Sequence, residues 1–200
     1  MNKIDIRESV AIVGDAIENS PLAYYAKHKK NQRIDLKKLE QVCFVSTGKV
    51  SFYRVTDDVL TISVPAPGIV GIAQLRYQAQ THYIRCDTDC EMWVINSADA
   101  SALFTHANLW VHAFNILAQL VQQYFERESM ISRKSTREVV TQHLKFIWEL
   151  PEEERVKTSV YSFILSRNHL SRSAIHKVLA ELAGENKISV VRGKLLHSEL

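Results

Sequence analysis

Long apolar runs are missing from this 200-residue chain: stretches such as Val10 to Val13 are only a few residues long, far short of the roughly 20 that cross a bilayer. No membrane span is expected. The opening residues MNKIDIRE alternate charged with apolar side chains and lack the continuous apolar stretch of a secretory signal, so the expected location is the cytoplasm. Cysteine is scarce as well: Cys43, Cys86 and Cys90 are an odd set with no Cys-x-x-Cys pair, which speaks against a disulfide framework or a zinc ribbon. The six glycines, at 14, 48, 68, 71, 184 and 193, form neither a Gly-x-Gly-x-x-Gly fingerprint nor a P-loop, and no His-Glu-x-x-His is present. Neither catalysis, nor a resident metal, nor a cofactor is expected.

What is there describes an ordinary folded chain, 46% apolar and 24% charged, with room for one large domain or two small ones. The formal net charge of +3 says little as a total. Its distribution says more: residues 1–132 carry 13 Lys and Arg against 14 Asp and Glu, and residues 133–200 carry 12 against 8. Within 158–196 the basic residues are Arg167, Arg172, Lys177, Lys187, Arg192 and Lys194, against Glu181 and Glu185. The anionic partner such a segment suits best is nucleic acid, although a solvated basic face gives the same count. A second basic cluster, Lys27 to Lys38, lacks apolar periodicity and reads as a solvated linker.

Along the chain, residues 9–26 space their apolar positions as a short amphipathic helix or helix pair, with Ser9 as N-cap and Pro21 as a break. From Gln41 to Ile95 the runs QVCFVSTGKVSFYRV, VLTISVPAPG, THYIRC and CEMWVI predict short strands with turns about every ten residues, an antiparallel sandwich or roll. After Asn96 the period turns helical for more than 30 residues. Two apolar stripes run side by side there: Leu109, Ala113, Ile116, Leu120, Tyr124 and Trp110, Phe114, Leu117, Val121, Phe125. A helix this apolar needs cover on two sides. One stripe suits the chain's own β-domain and the other a twin subunit, with Ala113, Ile116, Leu117, Leu120 and Tyr124 expected at a homodimer seam. Burial inside a monomer is the competing reading. Ser135, three residues before Glu138, starts a further helix that ends at Pro151, followed by an acidic loop.

The segment LSRSAIHKVLAELAGENKISVVRGKLLHS, residues 170–198, is the most informative. Ser171 is an N-cap, and Ile175, Val178, Leu179 and Leu182 repeat at the spacing of a buried helix face. The opposite face carries Arg172, Ser173, His176, Lys177 and Ala180, with no acid before Glu181, a surface suited to the major groove. Upstream, Val160 to Asn168 predicts a second helix at helix-turn-helix distance. Downstream, Gly184 ends the helix, and Ile188 to Leu196 read as two strands around a Gly193 turn. Helix, turn, basic helix and basic hairpin make a winged helix, with Arg172 and Ser173 at phosphate or base edges and Arg192 and Lys194 at backbone phosphate.

A β-roll, a long helix and a C-terminal winged helix, in this order within about 200 residues, resemble the CRP/FNR superfamily of bacterial transcription regulators. SRSAIHKVLAEL followed by NKISVVRGK is similar to that family's recognition helix and wing, and RCDTDCEMWVI to the late strands of its effector-binding roll. Within the superfamily the chain resembles a small enterobacterial group whose name implies an influence on peroxide resistance. The resemblance covers nearly the whole chain and implies an α+β fold: an N-terminal cyclic-nucleotide-binding-like β-roll (jelly roll) over 1–96, a long dimerisation helix over 97–132 and a winged helix-turn-helix over 133–200. It makes Arg172, Ser173 and Lys177 readers of double-stranded DNA, with His176 between them. The family's glutamate falls at Ser173, which implies a different operator. Its turn usually has a glycine where this chain has Asn168 or His169, which puts the turn geometry in question.

The resemblance also bears on sensing. Cyclic-nucleotide members use a Gly-Glu pair and an Arg about ten residues later; here Ile72 follows Gly71 and Gln80 stands near the Arg position, so cyclic AMP is not an expected effector. Iron-sulfur sensing needs four cysteine ligands and only three are present. The eight histidines show no diagnostic haem spacing. Cys86 and Cys90, flanking Asp87-Thr88-Asp89, are a candidate redox pair, weighed against three small core residues. The small-molecule effector is left open. The resulting expectation is a homodimeric DNA-binding transcription regulator, with a link to oxidative stress. The competing expectation is a regulator-like protein that has lost operator binding and acts through protein contacts.

Overall fold

The run VCFV in the first long strand is apolar at every position rather than at alternate ones, which predicts cover on both faces. That is what the computed structural model shows; it describes residues 6–76, 79–131 and 135–200. These fall into two units that divide between Tyr124 and Phe125.

In the first unit a helix, α1 (Ile6–Glu18), precedes eight strands: β1 (Tyr24–His28), β2 (Arg33–Ile34), β3 (Gln41–Thr47), β4 (Lys49–Arg54), β5 (Leu60–Pro65), β6 (Gly68–Val70), β7 (His82–Cys86) and β8 (Cys90–Asn96), with a short α2 (Leu36–Leu39) between β2 and β3. They pair antiparallel in two four-stranded sheets, ordered β1-β8-β3-β6 and β2-β7-β4-β5. Cys43, Val45, Val50, Val64, Ile84, Cys86, Cys90, Met92 and Val94 form one buried core. The other face of β3, Val42 and Phe44, packs with Val13 and Ile17 of α1 and with Phe104, Ala113 and Ile116 from the helices that follow β8. Gly48 makes the β3–β4 turn at φ +95°, where a Cβ would sit 2.4 Å from the carbonyl oxygen of Asp89; only glycine fits.

Four details differ from the sequence reading. Ser9 is no cap: it lies inside α1, fully buried, its hydroxyl 3.2 Å from His112 Nδ1 and accepting from Asn115 Nδ2 at 3.4 Å. The stretch after Pro21 is strand rather than helix, and the basic segment 27–38 is not a linker but holds the end of β1, β2 and the start of α2. Its charged residues stand on outer faces, with Lys27 paired to Glu91 at 3.0 Å and Arg33 to Asp35 at 3.1 Å, while only Ile34 and Leu36 turn inward. The helical stretch after Asn96 is also broken in two, α3 (Ser97–His106) and α4 (Trp110–Ile131). Asn96 caps α3 by accepting from Ala98 N at 2.9 Å, and Asn108, left-handed at φ 54°, ends the first run and starts the second.

The second unit contains the last turns of α4, then α5 (Thr136–Glu149), a single turn α6 (Glu152–Arg155) within the acidic stretch, α7 (Val160–Arg167), α8 (Arg172–Gly184) and a hairpin of β9 (Ile188–Val191) and β10 (Lys194–Ser198). Ser135 caps α5 through Glu138 N at 3.2 Å, as its spacing predicts. Val140, Leu144, Ile147, Ile164, Ile175, Val178, Leu179, Leu182, Ile188 and Leu195 close one core beneath α8. Among the described residues, no helix is long and apolar enough to cross a membrane.

Candidate nucleic-acid interface

The α7–α8 connection needs no glycine. Asn168 has an ordinary extended backbone, φ −144°, and its side-chain amide donates to the Ile164 carbonyl and to His143 Nε2, both at 3.1 Å. Ser171 then starts α8, its hydroxyl accepting from Ala174 N at 3.1 Å. With Ile175, Val178, Leu179 and Leu182 pulled into the core, helical geometry turns Arg172, Ser173, His176 and Lys177 to solvent, and all four are exposed. Ser173 Oγ lies 3.0 Å from Ser171 Oγ.

The wing is a two-residue hairpin turn: Arg192 and Gly193 both have positive φ, 50° and 76°, between paired Val191 and Lys194. The Gly193 carbonyl accepts from Val160 N at 2.9 Å, which fixes the tip of the wing to the start of α7.

The six basic residues of 158–196 do not share one fate. Arg167 folds back over the Phe163 ring at 3.7 Å and donates to the Phe163 carbonyl at 3.2 Å. Lys187 pairs with Glu185 at 2.8 Å. Lys194, expected at phosphate, donates its ammonium to the Lys157 carbonyl at 2.5 Å and ties β10 to the loop before α7. That leaves Arg172, Lys177 and Arg192 exposed with no acidic partner among the described residues. Glu181 and Glu185 are drawn off to Arg137 at 3.3 and 2.7 Å. The face is therefore more purely cationic than the sequence count suggests.

Sequence reasoning missed Tyr161. Its phenol oxygen lies 3.0 Å from His176 Nδ1, and the Arg172 guanidinium stands over its ring at 5.3 Å. The only signal in the sequence was an aromatic on the first turn of the supporting helix.

The seam residues separate. Ala113 and Ile116, 1% and 3% exposed, are consumed by the chain's own roll and have no surface left for a partner, which corrects their placement at a seam. Leu117, Leu120 and Tyr124 are partly exposed and line a cavity of about 180 Å³ with Phe52, Ile62 and Ile72. The exposed apolar side chains of α4 are Val111, Phe114 at 68%, Val121 and Phe125 at 67%.

Cys86 and Cys90 are buried free thiols, as is Cys43. Burial first, then Cys90, Asp87 and Asp89, pushes the Cys86 thiol up to about 12, and burial does the same for Cys43. Cys90 donates to the carbonyls of Thr88 and Lys49 at 3.3 and 3.4 Å. Both shifts disfavour the thiolate at Cys43 and Cys86.

Residues 136–199 match the family described as winged helix-turn-helix DNA binding. The chain is 29% identical over 150 residues to the inhibitor of hydrogen peroxide resistance of Salmonella typhimurium, covering 74% of this chain and 72% of that one. Its fold matches the c-di-GMP responsive global regulator CLP of Xanthomonas campestris at a TM-score of 0.74 and 14% identity, over 95% of this chain and 100% of the other. It matches a CRP/FNR-family regulator from Eubacterium rectale at 0.68 and 14%, over 94% and 90%. The chain thus has the fold of the CRP/FNR regulators, a cyclic-nucleotide-binding-type β-roll followed by a winged helix-turn-helix of the DNA-binding kind.

Proposed function

We propose that this chain is a homodimeric transcription regulator that binds double-stranded DNA through α8 and the wing. The carrying observation is the exposed set of Arg172, Lys177 and Arg192, which has no acidic partner among the described residues and stands on the solvent face of a winged helix. Arg172 and Ser173 at the N-terminus of α8 add the backbone N–H groups and the positive end of the helix dipole, a natural phosphate site. Lys177, one turn along, meets a phosphate at the groove edge, and Arg192 at the wing tip meets the adjacent backbone.

The dimer seam runs along Val111, Phe114, Leu117, Val121 and Phe125 of α4. All four spacings are three or four residues, the stripe that two helices bury against each other. Cyclic AMP is not the effector. Ile72 is buried where an acid would hold ribose, Gln80 donates to Asp35 at 2.9 Å instead of offering a counter-charge, and the cavity that Ile72 lines is small and mostly apolar. The likeness to an inhibitor of hydrogen peroxide resistance supports a role in the oxidative-stress response, with the signal reaching the roll by a route other than its buried thiols.

The test is the salt dependence of binding to genomic DNA fragments. Wild-type affinity should fall steeply between about 50 and 200 mM salt, and Lys177→Ala should lower the slope by about one unit. A salt-independent affinity, or one unchanged in Lys177→Ala and Arg172→Ala, contradicts the reading.

A further inference from the structure

We propose that Tyr161 sharpens the base preference opposite His176, by holding that imidazole in one orientation with Nε2 outward; this rests on the DNA-binding reading above. Residues 172 and 176 are four apart, so their side chains stand on one face of α8, and Tyr161 of α7 touches both. The half-buried phenol anchors His176 through Nδ1 at 3.0 Å, while its ring face supports the Arg172 guanidinium at 5.3 Å. Nε2 of His176, on the far side of the ring, has no partner among the described residues.

A neutral imidazole has one N–H and one lone pair, and an exposed one exchanges them freely. The phenol at Nδ1 fixes where Nε2 points and, able to donate or accept, follows either tautomer. When the phenol O–H donates to Nδ1, Nε2–H becomes the outward group. DNA selects this form, because phosphate oxygens and most major-groove base atoms are acceptors: N7 of both purines, O6 of guanine and O4 of thymine. Cytosine presents its N4 amino group, a donor, which calls for the opposite tautomer, with Nδ1–H donating to the phenol oxygen. Tyr161 is thus a positioning residue, and the operator carries, in each half-site, one position whose base preference His176 sets.

Selection from a random duplex library at fixed salt tests this with wild type, Tyr161→Phe, Tyr161→Ala, His176→Ala, the Tyr161→Phe/His176→Ala pair and Lys177→Ala. In Tyr161→Phe the ring under Arg172 remains but the hydrogen bond that orients His176 is gone. The base preference at that single position should flatten while the rest of the motif holds, with affinity for the wild-type site falling about 3- to 10-fold. His176→Ala should relax the same position, and adding Tyr161→Phe to it should change nothing more. Tyr161→Ala should also weaken the position read by Arg172, whereas Lys177→Ala should lower affinity evenly across sequences. An unchanged motif in Tyr161→Phe, beside a clear wild-type motif, overturns the role of Tyr161 and leaves the DNA-binding reading standing. Absence of any wild-type motif overturns both.

Discussion

Asn168 donates its side-chain amide to Nε2 of His143 at 3.1 Å, joining the turn of the helix-turn-helix to a fully buried histidine on α5. The bond fixes that ring: Nε2 accepts, so Nδ1–H donates, to the Val139 carbonyl at 2.7 Å. Phe163 meets the ring edge-on at 6.0 Å, and the two charged groups acting on it, Arg167 of α7 and Arg127 of α4, are both cations. Arg127 itself is buried and donates to the Arg167 carbonyl at 3.0 Å, at the end of α7. A proton on Nε2 would therefore face an amide donor and two guanidinium groups, with no acid among the contributors to offset it.

The winged-helix unit is accordingly expected to lose stability in mild acid. Burial first, then Arg167 and Arg127, hold the His143 pKa below 6.5, against the opposing pull of the Val139 carbonyl. The unfolded chain gains this proton below pH about 6.5 and the folded chain only at lower pH. Stability from the neutral ring is full above that value and is lost as pH falls through the folded pKa. Thermal melting from pH 7.5 to 5 should show a falling midpoint for wild type and a flatter profile for His143→Gln. Equal slopes for the two proteins would count against the assignment.

Replacing Asn168 by glycine, the residue usual at this turn in the resembling family, should destabilise the unit. Two side-chain hydrogen bonds disappear and a buried imidazole nitrogen is left unpaired, at a cost of about 1–3 kcal/mol. Urea denaturation measures it. A glycine variant as stable as wild type would mean that the bonds contribute nothing.

On α4 the expectation is a split by face. Phe114→Glu or Val121→Glu should convert a dimer to folded monomers in sedimentation, because each puts a charge into the proposed seam without disturbing the roll. Ala113→Glu should unfold the roll instead, by forcing a carboxylate into the core beside Phe104 and Ile116. A Phe114→Glu protein with wild-type mass in solution places the seam elsewhere.

The thiols should be silent. With the Cys86 and Cys43 thiols pushed up to about 12 and all three cysteines buried, a thiol-directed disulfide reagent should label the native protein only through unfolding, and labelling should become fast in denaturant. Rapid labelling of Cys86 or Cys90 in the native protein would revive them as a redox pair.

Much of this fold could be read from the residues because its periods are strong. The β-branched runs between Gln41 and Ile95 became strands, and the Ile175, Val178, Leu179, Leu182 spacing marked the buried face of α8 and, by subtraction, its outer one. What escaped lacked a period. β1 and β2 turn their charges outward as cross-strand and aromatic contacts, so Lys27 and Arg33 looked like linker. Asn108 breaks a helix by a left-handed residue that no glycine announces. At the interface, exposure of Arg172, Ser173, His176 and Lys177 followed from arithmetic on one helix. The Tyr161–His176 and Asn168–His143 contacts join residues 15 and 25 positions apart on different elements, and only tertiary packing brings them together. Lys194 shows the converse: its charge was visible, but the carbonyl that occupies it was not.

The most direct measurement is genome-wide selection of DNA fragments by the purified protein beside its Arg172→Ala/Lys177→Ala variant, at two salt concentrations. The account predicts an inverted-repeat motif, with half-sites about one helical turn apart, that the variant loses. Enrichment of no motif, with the same residual binding for both proteins, would contradict it and make the winged helix a surface for protein partners.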